Sequence, residues 1–274
     1  MPKFSVLMSV YLGDEADYLY EAIQSVLNQS KMPDEIILVE DGPLKKETKQ
    51  IINKYKKQYP HLFKVHVIQQ NVGLGRALNV GLGLCTHNLV ARMDSDDIAL
   101  PNRFALQLDA FIHNPKLVVV GGQIEEFSEN PKNITGKRIV PLANDDIRSY
   151  QKLRTSMNHM TVMFKKKTVL DSGGYDHSLY MEDSILWAKL QSLGHSFENL
   201  PVILVYVRGG KEQLKRRAGY SYFVNQRYGR RLMLSRGYIG LKDYYFGLSL
   251  QFLNAMLPNG IRRTVYKHVL RKSA

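Results

Sequence analysis

The chain has 274 residues, 44% of them hydrophobic and 23% charged, with one cysteine and a net charge of +13, enough to bury a full core as one large α/β domain or one domain plus an appendage. A lone Cys85 excludes a disulfide framework, suits a reducing compartment and reads as a small core residue. The first apolar stretch, 4–12, carries serines and runs into Asp14 and Glu15, unlike a secretory signal, and no run reaches the roughly 20 apolar residues that span a bilayer.

In chain order, the apolar, β-rich segment 4–10 reads as a buried parallel strand. Leu19, Ala22, Ile23, Val26 and Leu27 recur at three and four and predict a helix. A second strand, 35–39, is stopped by Glu40-Asp41-Gly42-Pro43, a turn with two acids at its mouth. A lysine-rich helix over 45–59, a strand at 64–68, a helix over 75–84 and a strand at 88–93 follow. That alternation predicts βαβ units and a parallel sheet. Pro101 opens a helix with Phe104, Leu108, Phe111 and Ile112 inward. Segment 118–121 is a buried strand, and 128–146, with Pro131, Gly136 and Pro141, reads as a polar, mobile loop. Strands at 160–164 and 202–207 bracket a helix over 183–193 that carries Trp187.

The fourth strand ends in Asp94-Ser95-Asp96-Asp97. Ligands of open α/β sheets bind at the carboxyl ends of the strands. Crowded carboxylates repel one another, so such a cluster calls for a cation, and Mg²⁺ or Mn²⁺ shared with substrate phosphates fits the chemistry. The alternative is a solvated acidic loop; an EF-hand would need glycine where Ala99 stands. Asp41 stands at the corresponding end of the second strand, where it either accepts from a ribose hydroxyl or base N–H or stabilises its own turn. Asn71-Val72-Gly73-Leu74-Gly75-Arg76 fails as a dinucleotide fingerprint, because the third glycine falls at Leu78, and no Walker lysine pattern occurs. Glu182 and Asp183 open a helix, either to complement its dipole or, for one of them, to act as a general base. His159 precedes a strand and either faces the site or is a satisfied structural histidine.

Taken together the pieces resemble the family-2 inverting glycosyltransferases of the GT-A fold. The matching residues run in order over about 1–207: 4–11, 25–30, Val39-Glu40-Asp41-Gly42, Asn71-Val72-Gly73-Leu74, 91–97, 100–104, Gly173-Gly174-Tyr175-Asp176 and 182–187. The resemblance implies a GT-A-like open, mostly parallel central sheet flanked by helices. It implies that Ser9 and Tyr11 line a nucleotide pocket, that Asp41 binds the base, and that Asn71 and Gly73 border base and ribose. Asp94-Ser95-Asp96 matches the DxD motif, with Asp96 the main metal ligand and Asp94 on metal or ribose. Asp183 falls on the catalytic-base position. Glu40 departs from the family, many of whose members have aspartate there.

The last quarter is different. From Arg208 to Ala274 there are 15 Lys/Arg against Glu212 and Asp243, whereas 1–207 carries 23 of each sign. A neutral catalytic domain (1–207) is therefore expected to precede a basic helical C-terminal region (208–274). Segment 244–253 is apolar almost all round as a helix, with Leu241, Tyr245, Leu248 and Phe252 on one stripe and Phe246, Leu250, Leu253 and Leu257 on another. Too short to span, it suits packing on the body or dipping into an interface. The surrounding cations, including Arg230-Arg231 and Arg262-Arg263, suit an anionic membrane surface at roughly 1 kcal/mol each. A solvated hairpin is the alternative, and no nucleic acid is expected. Looser likeness in this region, through Leu257-Pro258-Asn259-Gly260 and Tyr266 ahead of Arg271, is to enzymes assembling bacterial exopolysaccharide or capsule. The expected activity is metal-dependent, inverting transfer from a nucleotide-diphosphate sugar, foremost a UDP-sugar, to a hydroxyl of a lipid-linked saccharide. The expected location is cytoplasmic, peripheral on the inner face of the membrane. The competing readings are a nucleotidyltransferase or nucleotide-sugar pyrophosphorylase, and a non-enzymatic basic binding module.

Overall fold

The computed structural model describes residues 1–177, 181–209 and 219–257. Strands β1 (Phe4–Tyr11), β2 (Glu35–Asp41), β3 (Phe63–Ile68) and β4 (Leu89–Met93) lie parallel in the order β3-β2-β1-β4. The period of two divides β1 between two cores. Val6, Met8 and Val10 pack with helices α1 (Ala16–Leu27) and α2 (Lys46–Gln58), while Leu7 faces α3 (Leu74–Leu84). The near-continuous apolar runs of β1, β2 and β4 follow from this burial on both faces.

The sheet continues past β4 through β8 (Met163–Lys165), β6 (Leu117–Phe127), β9 (Ser196–Arg208) and β5 (Ile98–Ala99), with β7 (Ile134–Arg138) paired to β6. Here β4/β8, β8/β6, β6/β7 and β9/β5 are antiparallel and β6/β9 parallel, so this half is mixed. Helix α4 (Arg103–His113) turns Phe104, Leu108 and Phe111 inward as expected, but Ile112 is exposed, its place on the buried face taken by Arg103 and Gln107. Segment 128–146 is not one loop: it holds β7 and the start of α5 (Asn144–Gln151). A five-residue strand containing Gly136, and a helix that buries Ile147 and Gln151, leave little periodicity to read. The strand expected at 160–164 is a 3₁₀ turn, His159–Thr161, followed by β8. Strand β9 begins six residues before the expected 202, carrying Pro201 at a bulge where Gly122 pairs with Leu200 and Gln123 with Ile203.

Two further helices complete the frame, α6 (Lys166–Asp171) and α7 (Glu182–Ser192). The basic region contributes α8 (Gly219–Ser235) and α9 (Leu241–Met256), whose Met233, Ile239 and Tyr244 pack on Ile185 and Ala188 of α7. Arg230 is buried and donates to the carbonyls of Lys152 (2.9 Å) and Asp243, so it ties α8 to the α5 end and to α9. Of the two stripes expected on α9, Leu241, Tyr245, Phe246, Leu250, Phe252 and Leu253 are exposed, while Tyr244 and Ala255 are buried. Arg262, Arg263, Tyr266 and Arg271 lie outside the described residues.

Candidate active site

The carboxyl ends of β1, β2 and β4 open on one edge, with Tyr11 opposite Asp41 and Met93 opposite Met8. Beyond β2 the chain turns at Gly42, with φ at +89°; a Cβ there would lie 2.7 Å from the Asn71 amide nitrogen, so the turn and the 71–73 loop meet where only glycine fits. The Asp41 carboxylate accepts hydrogen bonds from the amides of Val72 (2.7 Å) and Gly73 (3.1 Å) and from Asn71 Nδ2 (3.1 Å). Loop anchoring is thus visible at Asp41, with about one lone-pair direction of its four left over. Ser9 is half-buried and Tyr11 exposed beside it, and the alternation of β1 puts both on the Leu7 face with Asp41.

At the end of β4 the carboxylates of Asp94, Asp96 and Asp97 offer oxygens that all lie within 4.8 Å of one another. A fourth acid joins them. Asp14, after β1, accepts from the Ser95 hydroxyl (2.8 Å) and the Tyr11 amide (3.0 Å). Burial first, then the charges of Asp94 and Asp14, push Asp96 up to about 6. Burial and Asp96 and Asp94 hold Asp97 well above the usual carboxylate range, and burial raises Asp14, against the bonds from Ser95 and Tyr11. A set of hard oxygen donors whose charges destabilise one another fits Mg²⁺ or Mn²⁺. Asp97 is fully buried and accepts from the Arg208 amide (2.9 Å), which leaves Asp94 and Asp96 as the half-exposed pair. Arg208 also donates Nε to the Asp96 carbonyl (3.1 Å), pairs with Glu21, and lays its guanidinium over Tyr18 and Phe127. The last residue of β9 therefore fixes the acid loop from across the sheet. Beneath it, buried Arg103 donates to the Arg92 carbonyl (2.6 Å) and Gln107 to the carbonyls of Val120 and Thr161 (2.8 Å each).

Arg92 joins the acid loop to the α7 end. Its side chain is buried, paired with Asp94, and two of its nitrogens, Nε and Nη1, have no partner among the described residues. Its charge acts on Asp96, Asp97, Glu182, His159 and Tyr175. Tyr175 in turn feels Asp183, Glu182 and Asp94, so the DxD-like acids and the acids opening α7 share one neighbourhood. Burial and then Asp183 push Glu182 up to about 7, against the pull of the helix N-terminus, which favours the ionised form. Asp183 Oδ1 accepts from the Ser184 amide (2.6 Å). Met181, just before them, has φ at +62°, a left-handed conformation uncommon for methionine. His159 is a structural histidine: buried, held neutral by that burial, bonded through Nε2 to the Tyr175 hydroxyl (2.9 Å) and edge-on to Trp187. Cys85 is buried, and burial with Glu35 nearby pushes its thiol up to about 12, an inert core residue. None of Asp14, Arg92 and Arg208 was expected from the sequence; an arginine inside the apolar run of β4, two residues before Asp94, is the one signal that could have found any of them.

The family model described as Glycosyl transferase family 2 matches residues 5–172. The amylovoran biosynthesis glycosyltransferase AmsE of Erwinia amylovora is 36% identical over 264 residues, covering 96% of this chain and 98% of the relative. The UDP-Gal:alpha-D-GlcNAc-diphosphoundecaprenol beta-1,3-galactosyltransferase of Escherichia coli is 36% identical over 271 residues, covering 99% and 98%. The mannosyltransferase PcManGT of Pyrobaculum calidifontis, solved with GDP-Man and Mn²⁺, superposes with a TM-score of 0.60 at 14% identity, over 96% of this chain and 79% of that one; the likeness is one of fold.

Proposed function

Since the chain belongs to glycosyl transferase family 2 and is a glycosyltransferase, we propose that it moves a sugar, with inversion, from a UDP-sugar to a hydroxyl of a lipid-linked saccharide in bacterial surface polysaccharide synthesis. The observation that carries this is the grouping of Asp94, its partner Arg92, Glu182 and Asp183 around Tyr175, with Asp96 beside Asp94 at the carboxyl edge of the sheet. The relative named for UDP-Gal and a diphosphoundecaprenol acceptor supports the donor and acceptor classes. Asp96 and Asp94 would hold Mn²⁺ or Mg²⁺, which would supply Lewis-acid stabilisation of the leaving diphosphate. Ser9, Tyr11, Asn71 and Gly73 frame the nucleotide, and Asp41 both builds that loop and offers its remaining lone pair to the base. Asp183 takes the proton from the acceptor hydroxyl as that oxygen attacks the anomeric carbon on the face opposite the diphosphate. One displacement suffices, and no enzyme-bound sugar forms. A positioned base of this kind contributes ~10²–10⁴-fold. The pyrophosphorylase alternative wants cations after β1, where Asp14 and its bond to Ser95 stand instead.

The basic region, 208–274, would hold this body against an anionic inner leaflet, so that a short lipid-linked sugar reaches Asp183. Among the described residues no helix is long and apolar enough to cross a membrane, and the exposed apolar residues of α8 and α9 suit an interface. The direct test screens nucleotide sugars for Mn²⁺-dependent thermal stabilisation and then reads the anomeric configuration of the product. Equal nucleotide affinity in EDTA and in Mn²⁺, or a retained configuration, overturns the reading.

A further inference from the structure

A groove of about 520 Å³ runs between the edge strand β3 and helix α3, within the ~300–1,000 Å³ typical of small-molecule sites. His66, Arg76, Asn79 and His177 supply its polar lining, and Ile68, Val72 and Val80 its apolar floor. No acid lines it among the described residues. The neighbouring Asp176 is paired with Arg236 at 2.7 Å, so its charge is already met. The groove borders both halves of the site. Val72 gives its amide to Asp41 (2.7 Å). At the other end His177 follows Asp176, whose carbonyl packs against Gly75 beside the Glu182 side chain.

We propose that this groove takes the diphosphate and the first apolar segment of the lipid-linked acceptor, an inference that rests on the glycosyl-transfer reading above. Phosphate oxygens accept charge-assisted hydrogen bonds from the Arg76 guanidinium, a planar donor suited to two oxygens at once, and from the two imidazoles. The carbon chain covers Ile68, Val72 and Val80, surface that is otherwise left against water. A sugar carried on that diphosphate then lies toward Val72, the end of the groove that borders the nucleotide loop. The juxtaposition of a guanidinium, two imidazoles and an apolar floor is what an amphipathic phosphate ester requires, and a nucleotide or a neutral saccharide does not use both halves of it.

The test uses decyl diphosphate below its micelle concentration, titrated calorimetrically into the full chain in EDTA, so that no ion at Asp94 and Asp96 captures the probe. Inorganic diphosphate and a neutral decyl glycoside are the comparison ligands. The wild type is expected to bind decyl diphosphate at least about tenfold more tightly than either, and H66A/R76A to lose that advantage. Both side chains are exposed, so the variant keeps the wild-type Tm and its Mn²⁺-dependent UDP affinity. With a GlcNAc-diphosphate-decyl acceptor, the variant's KM rises about tenfold at little change in kcat, and R76K recovers part of the loss. Undiminished decyl diphosphate binding by H66A/R76A overturns the proposal, as does equal binding of inorganic diphosphate, which marks a plain anion site. Loss of decyl diphosphate binding in the variant together with no sugar transfer by the wild type to that acceptor sinks the proposed lipid-linked acceptor and leaves the groove's chemistry standing.

Discussion

At the scale of single residues, the acid cluster stores an electrostatic cost that a divalent cation would relieve. Asp96 sits at about 6, above its unfolded value near 3.9. The folded state therefore binds more protons between those values, and metal-free stability falls as pH rises from about 4 through 6. Asp96→Asn removes one of the repelling charges. In EDTA its Tm should exceed that of the wild type by a margin that widens from pH 4 to pH 7, while Mn²⁺-assisted binding of UDP is lost. A margin that does not change with pH would mean the cluster is solvated and unstrained. Glu182 and Asp183 make a second pair. Asp183→Asn should keep UDP affinity and lower kcat by ~10²-fold or more, since proton removal counts only in the transition state. Near wild-type kcat in that variant moves the role to Glu182. Because Glu182 titrates near 7, the acid limb of the wild-type kcat profile is expected there, reporting the pair rather than one group. Glu182→Gln should move that limb to lower pH, and an unmoved limb places the titrating group elsewhere.

At the scale of elements, Tyr175, Asp176 and Met181 are held by helices far apart in the chain. On one side Asn79 of α3 exchanges two hydrogen bonds with the Tyr175 backbone, both 2.8 Å. On the other, Arg236 beyond α8 bonds Asp176 at 2.7 Å, and Gly229 of α8 leaves room for Met181, whose sulfur would lie 2.6 Å from an added Cβ. The C-terminal helices thus brace Asp176 and Met181, ahead of the proposed base Asp183, as well as covering α7. Arg236→Ala removes a half-exposed ion pair, worth at most about 1 kcal/mol of stability, so Tm should barely change. A looser base is costlier, since misplacement by ~1 Å can cost ~10² in rate. We expect kcat to fall about tenfold at unchanged donor KM, with Arg236→Lys recovering most of it; equal losses in kcat and Tm would mean simple destabilisation. None of this bracing was legible in the sequence, because Arg236 and Asp176 are 60 residues apart and neither carries a pattern. The parallel strands were legible, since burial on both faces writes itself as apolar runs in β1, β2 and β4. Segment 128–146 was not, because β7 borrows its stability from β6 and α5 buries little. The acids of the site were readable from their place after the strands, whereas Asp14, Arg92 and Arg208 act through contacts across the sheet that spacing does not encode.

At the scale of the molecule, the whole net charge of +13 falls on residues 208–274, and the cations among the described residues divide by task. Arg208 belongs to β9 and the acid loop, Arg230 is buried and tied to α9, and Arg236 holds Asp176. Arg227, Arg231 and Lys242 are exposed on the same hairpin as Tyr220, Tyr228, Tyr245, Phe246 and Leu253. A surface that mixes exposed cations with aromatic and aliphatic side chains binds anionic lipid by two additive terms. Coulombic attraction fades as the Debye length shrinks from roughly 10 Å at 0.1 M salt to about 3 Å at 1 M, while apolar insertion persists. Flotation with phosphatidylglycerol-containing liposomes should therefore recover the protein at low salt, recover less at 1 M, and recover little with neutral liposomes. Reversing Arg227, Arg231 and Lys242 to glutamate should remove about 1 kcal/mol of attraction per site, and more by repulsion. That variant should leave the liposomes yet transfer sugar to a detergent-soluble acceptor at the wild-type rate, because all three residues are exposed on the hairpin. Substituting Arg230 in the same experiment would confound it by freeing α8 from the Lys152 and Asp243 carbonyls. Flotation indifferent to lipid charge would make the hairpin a brace for Asp176 and Met181 and nothing more.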